Sequence, residues 1–262
     1  MIDYSFSYND LEFFLLVFIR MSSFIITAPF FSTNNVPQQV KAGAAFFISV
    51  LIYTSLSPHE VIEYGSIISF AIIVIKEATA GLIIGLGANI CLSITQLAGK
   101  IADMEMGLSM VQMFDPLTRE QTGFMGSIYE YGVILILLIT NMHHYILRAF
   151  IESYTLIPVG GVKFDSESVV TSVLTFLGDY VSIAFRFCLP VVAAIMLLNA
   201  LLGILAKTSP QMNMFAVGIQ LKILAGFAVV IITIGLLPAV SEGLFREMDK
   251  MMQAMISALM GR

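Results

Sequence analysis

The sequence predicts an all-α membrane protein, and three observations carry that prediction. Of its 262 residues, 58% are hydrophobic and only 12% charged, where soluble domains run at about 45–50% and about 25%. Mean hydropathy is +0.92. Uncharged stretches close to the ~20 residues that cross a hydrocarbon core as a helix recur at 21–40, 42–59, 78–99, 131–147, 187–206 and 223–241. The net charge of -5 excludes a nucleic-acid binder, which needs a basic footprint. The hydrophobicity excludes disorder. Cys91 and Cys188 both sit in apolar runs, where free thiols pack as small hydrophobes and form no disulfide framework.

Six hydrophobic segments follow, read as one domain over 1–262: 11–31, 41–56, 66–97, 127–147, 173–206 and 215–240. Before the first, residues 1–10 carry Asp3 and Asp10 and no Lys or Arg, so the basic region of a cleavable signal peptide is not expected. No lipidation motif is evident. The first segment ends in a turn containing Asn34, Asn35 and Pro37. Ser57-Pro58-His59-Glu60 and Lys207-Thr208-Ser209-Pro210 are further punctuated connectors. The third and fifth segments exceed a straight span, so each is expected to be a tilted helix, a kinked helix or a short hairpin. Pro190 removes a helical hydrogen bond and predicts a kink in the fifth. The tail, 241–262, reads as an amphipathic helix. Leu244, Met248, Met251, Met255 and Leu259 share one face, with Glu242, Arg246, Glu247, Asp249 and Lys250 on the other side.

Charge does not set the orientation. With six alternating spans, one set of connectors carries Lys41, Lys100, Arg119 and Lys207, and the other Arg148, Lys163, Arg246, Lys250 and Arg262. The positive-inside rule needs a clearer asymmetry.

Several charges lie inside or at the ends of the hydrophobic segments: Arg20, Lys41, Lys76, Glu77, Asp179, Arg186 and Lys222. In hydrocarbon each costs roughly 2.5–3.5 kcal/mol on insertion scales, so they should face protein or water. Two readings stand, a transport relay, or ion pairs and hydrogen bonds at subunit interfaces with snorkelling near segment ends. The lack of clustered carboxylates favours contacts. Gly81 and Gly85, four residues apart in an apolar run, suit close helix packing within or between chains.

Enzyme chemistry finds no support. No phosphate-binding loop or nucleophile motif is present, and His143-His144 has no third ligand at a supporting spacing. No metal or cofactor is expected. The stretch 99–126 is polar for a lipid-facing span and long for a turn. It carries Met104, Met106, Met110 and Met113. Flexible thioethers make a surface that deforms around varied partners. By composition alone, ordinary core filling is the stronger reading.

The order of motifs resembles the FliR family of flagellar export-gate proteins and their SctT/YscT/SpaR homologues in injectisomes. The resemblance rests on Arg20 with Ala28-Pro29, Pro37 with Lys41, Glu77 with Gly81 and Gly85, Gly99 with Asp103 and Gly107-Leu-Ser, and Asp115-Pro116. It continues through Asn141 with His143, Ser153-Tyr154, Pro158 and Gly160, Leu189-Pro190, and Ser209-Pro210-Gln211. Met142 departs from the family's frequent Gly, and Gln220 from its frequent Pro.

The resemblance implies a FliP-like and a FliQ-like unit joined in one chain. It implies one copy within a helical gate of five FliP-like and four FliQ-like subunits, beside FlhA-like and FlhB-like components. The site would be the bacterial inner membrane, in the flagellar basal body, with unfolded flagellar proteins in transit. It also implies a plug-like loop at about 104–116. Met110, Met113 and Phe114 would close the resting pore there, supported by Met106, Asp103, Asp115 and Pro116. Arg20, Lys41, Glu77, Arg186 and Lys222 would stand at subunit contacts. With that implication the deformable-seal reading of the methionines overtakes core filling. The alternative from another class is a secondary transporter of a small solute, which needs a polar midplane site between discontinuous helices.

Overall fold

A computed structural model describes residues 8–29, 31, 36–56, 62, 64–109, 123–208 and 213–260. All regular structure among them is helical: α1 Tyr8–Thr27, α2 Gln38–Ser55, α3 Ile67–Met106, α4 Phe124–Ile139, α5 Met142–Leu156, α6 Ser166–Thr208, α7 Met214–Thr233, a single 3₁₀ turn Ile234–Leu236, and α8 Leu237–Leu259.

The helix boundaries are set by local chemistry. The third and fifth expected segments are each one continuous helix, of 40 and 43 residues, and neither is a hairpin. Pro190 lies inside α6, where it leaves the Arg186 carbonyl without its usual donor four residues on. The fourth segment is instead broken, with α4 and α5 bent by 76°. Asn141 makes that corner at φ 57°, a left-handed conformation that Asn tolerates better than most residues. The sixth segment stops short of its expected end. Pro238 cannot donate to the Ile234 carbonyl, and Leu237 N–H bonds it from three residues away instead. The helix therefore tightens into a 3₁₀ turn, and α8 starts at Leu237, not at 241. The five apolar tail residues are all buried along it.

Among the described residues, three helical stretches are long and apolar enough to cross a membrane: Ile67–Met106, Glu167–Thr208 and Ala216–Leu259. The bent α4–α5 pair makes a fourth if it counts as one span. The remaining segments are shorter and more polar. α1 carries Asp10, Glu12 and Arg20, and α2 opens on Gln38-Gln39 and Lys41. The chain is an all-α membrane protein with a shorter α1–α2 pair.

The chain divides into two compact units. Unit 1 comprises Met1–Cys91, Met142–Phe176 and Arg246–Arg262, and unit 2 comprises Leu92–Asn141 and Leu177–Phe245. In unit 1, stacked rings of Phe24 and Phe150, 3.9 Å between centroids, lie in a core with Leu16, Met21 and Ile52. In unit 2, Tyr129 packs edge-on against Phe187 at 4.8 Å, beside buried Val133, Val191 and Ile195.

Candidate functional site

The stretch singled out in the sequence leaves α3 and returns at α4, and unit 2 holds both of its ends. Gly107 ends α3 at φ 82°, the left-handed conformation that lets a chain leave a helix sharply. Gly123 stands before the first residue of α4 and offers no side chain to cap it. Asp103, reaching across from the last turns of α3, takes that role. Its carboxylate accepts the Met125 N–H at 3.1 and 3.2 Å. A carboxylate there satisfies an orphan donor and sits at the positive end of the helix dipole. A Cβ on residue 123 would collide with that carboxylate.

The same two helix ends meet backbone to backbone. A Cβ at Gly99 would strike the Cα and N of Gly126, so only glycine permits the approach. One turn further along, the Gln96 amide donates to Glu130 at 3.1 Å. Tyr180 of α6 donates to the Ser93 carbonyl at 3.0 Å. Met106 is fully buried against the bare face of α7 that Gly226 leaves open. Met104 is 64% exposed. The stretch is thus anchored at Asp103, Met106, Gly99 and Gly126. Met110, Met113, Phe114, Asp115 and Pro116 lie outside the described residues.

The expected subunit-contact charges divide. Arg20 and Glu77 were expected to face other subunits, but the described structure satisfies both inside unit 1. Both side chains have no exposed area. Arg20 Nε donates to Glu77 Oε2 and Nη2 to Oε1 at 2.9 Å. Arg20 also donates to the carbonyls of Ile157 at 3.0 Å and Pro158 at 3.4 Å. Glu77 Oε1 accepts from Gly160 N–H at 2.8 Å. The Tyr154 ring lies 4.4 Å from the guanidinium carbon, and its hydroxyl donates to the Val17 carbonyl at 3.1 Å. A buried pair is tolerated only when such extra bonds complete it. The network pins the turn at Gly160, φ 83°, to α1 and α3.

Gly81 and Gly85 place α3 on α1 in the same unit. A Cβ at 81 would meet the Arg20 carbonyl, and one at 85 the Thr27 hydroxyl. Lys41 is half-buried beside a cavity of about 410 Å³ lined by α1 and α2. Arg186 is exposed and Lys222 half-buried. Among the described residues no three His, Cys, Asp or Glu side chains group as metal ligands. Gln96, Glu130 and Gly126 stand in no motif that the sequence singles out. Tyr154 and Gly160 stand in a motif that by itself indicates no role. An aromatic and a glycine close together after a helix are too common to signal a partner 83 residues away.

Comparison with known proteins then gives the architecture its kinship. The family described as bacterial export proteins, family 1, matches residues 11–248. The chain is similar to the flagellar biosynthetic protein FliR of Bacillus subtilis, 33% identical over 234 residues covering 88% of this chain and 90% of that protein. It is 26% identical to FliR of Escherichia coli over 243 residues, 92% of this chain and 91% of that protein. With FliR of Aquifex aeolicus the identity is 24% over 248 residues, 93% of each. With the match running through both units and every described helix, the chain belongs to family 1 of the bacterial export proteins, the FliR family.

Proposed function

We propose that this chain is the single-copy core subunit of a flagellar type III secretion export gate, helping to form and seal the channel for unfolded flagellar proteins. Membership of an export family makes it a transport component and not an enzyme. The observation that carries the flagellar reading is the near full-length similarity to flagellar biosynthetic proteins. On this reading its neighbours are five FliP-like and four FliQ-like subunits with FlhA-like and FlhB-like components, in the bacterial inner membrane at the flagellar basal body.

The seal is assigned to Met110, Met113 and Phe114, with Asp103, Met106, Asp115 and Pro116 as supports. The anchored helix ends support this assignment. Asp103 and the Gly99–Gly126 contact hold both stems of the stretch, which gives a seal a fixed base. Thioethers close around small gaps and yield to a passing chain. Lys41 and Lys222 are assigned to subunit contacts.

Two measurements test the proposal. The native mass of the complex extracted in mild detergent should show one copy of this chain among several small hydrophobic partners. A monomer or small homo-oligomer that binds a solute would support a secondary transporter instead. Replacing Met110 and Met113 together by Gly should raise ion conductance across membranes holding the assembled gate. Unchanged conductance would remove those methionines from the seal.

A further inference from the structure

Unit 2 contains a cavity of about 240 Å³ lined by α4, α6, α7, the 3₁₀ turn and α8. Its wall is apolar, with Tyr129, Phe187, Pro190, Val230, Leu237 and Val240 among the lining residues. Arg186 contributes the cationic group. The volume is roughly eight times the ~30 Å³ that one water takes in the liquid, enough for a stretch of acyl chain and far short of a whole lipid.

Where the cavity lies along the helices gives its chemistry. On α6 the uncharged run 187–206 begins immediately after Arg186. On α4 the run 131–147 begins immediately after Glu130, and Ile128, Tyr129 and Gly132 line the cavity beside it. The run 223–241 ends immediately before Glu242, and its last part, through Val240, lines the cavity too. Three elements therefore reach the end of their membrane-compatible length around one hollow. A guanidinium at that boundary is placed to meet headgroups while its neighbours meet chains. Among the described residues no carboxylate pairs with Arg186. Glu130, next to the lining residue Tyr129 in sequence, accepts from the Gln96 amide. The fork of N–H donors on Arg matches a phosphate bidentately.

We propose that this cavity is a binding site for one anionic glycerophospholipid, its phosphate on Arg186 and part of one acyl chain in the apolar hollow. The site depends on embedding in a membrane and not on the export-gate reading. One cation near an anionic headgroup corresponds to about a fivefold preference over a zwitterionic one.

The test is native mass spectrometry of the full chain with whatever subunits co-purify. Dioleoyl-phosphatidylglycerol or dioleoyl-phosphatidylcholine is added, so that chains are equal and headgroups differ. The wild type should retain phosphatidylglycerol about fivefold better. Arg186→Gln should lose that preference, and Arg186→Lys should keep most of it. Val240→Phe, which fills the hollow, should lower retention of both lipids. A wild type without headgroup preference overturns the proposal, as does a preference that survives in Arg186→Gln. Loss of a co-purifying subunit from Arg186→Gln with lipid retention unchanged overturns it as well, and makes Arg186 a protein contact. Should Arg186→Gln fail to fold, the wild-type headgroup comparison and Val240→Phe decide alone.

Discussion

At the scale of single residues, the Arg20–Glu77 network shows why a buried ion pair cannot be judged by its two charges. Replacing a buried pair by apolar side chains is often neutral or stabilising. Here Glu77 also holds the Gly160 N–H, and Arg20 holds the Ile157 carbonyl. Removing both side chains would leave those backbone groups unsatisfied at about 1–3 kcal/mol each. Glu77→Ala should destabilise the protein by about 3–5 kcal/mol, because the guanidinium stays buried without its counter-charge. Arg20→Leu/Glu77→Leu should remain clearly less stable than wild type, which denaturant unfolding in mild detergent would measure. A double variant as stable as wild type would show that the backbone bonds contribute little. Arg20→Lys should also fail to substitute, since an ammonium lacks the planar fork that serves the carboxylate and two carbonyls while its face meets an aromatic ring.

At the scale of elements, helix ends decide most of what is particular here. α3 and α4 are joined by one carboxylate and two glycines. Gly99→Leu should disrupt that junction, since its side chain would enter the backbone of α4 at Gly126. Asp103→Ala should cost about 1 kcal/mol as a lost cap, while Asp103→Asn, which keeps an acceptor, should cost less. Amide hydrogen exchange at the first turn of α4 would separate the two. α6 is capped differently. Asp165 accepts from Glu167 N–H at 3.2 Å and from the Ser168 hydroxyl, and that hydroxyl is the main cause holding its carboxyl below the ordinary range. A depressed pKa stabilises the fold above the ordinary value of about 4, and the contribution fades as pH falls through the lowered one. Protection of the first turn of α6 should therefore fall below about pH 4, and Asp165→Asn should remove that acid step. An acid step of equal size in Asp165→Asn would assign it to another group. The terminal segment uses backbone instead, with Lys163 and Asp165 N–H bonding the Leu259 and Ala258 carbonyls at 3.0 and 3.2 Å.

At the scale of the whole molecule, apolar sequence and membrane span prove to be different things. Six hydrophobic segments were legible as blocks of composition, yet among the described residues three helical stretches, four with the bent pair, have the length and apolarity to cross. Single cysteines at Lys76 and Lys100, flanking the uncharged run of α3 on a background lacking Cys91 and Cys188, should label from opposite sides of a membrane. Labelling from one side only would show that α3 does not span. By itself the sequence determined the helical membrane class, the family resemblance, the glycine face of α3 and the apolar face of the tail. These are properties of composition and of short periodic spacing, which local stereochemistry fixes. Tertiary structure alone decided that Arg20 meets Glu77 and that Asp103 caps α4. Those outcomes depend on which distant backbone groups lack a partner, and a local pattern carries no record of a need that arises many residues away.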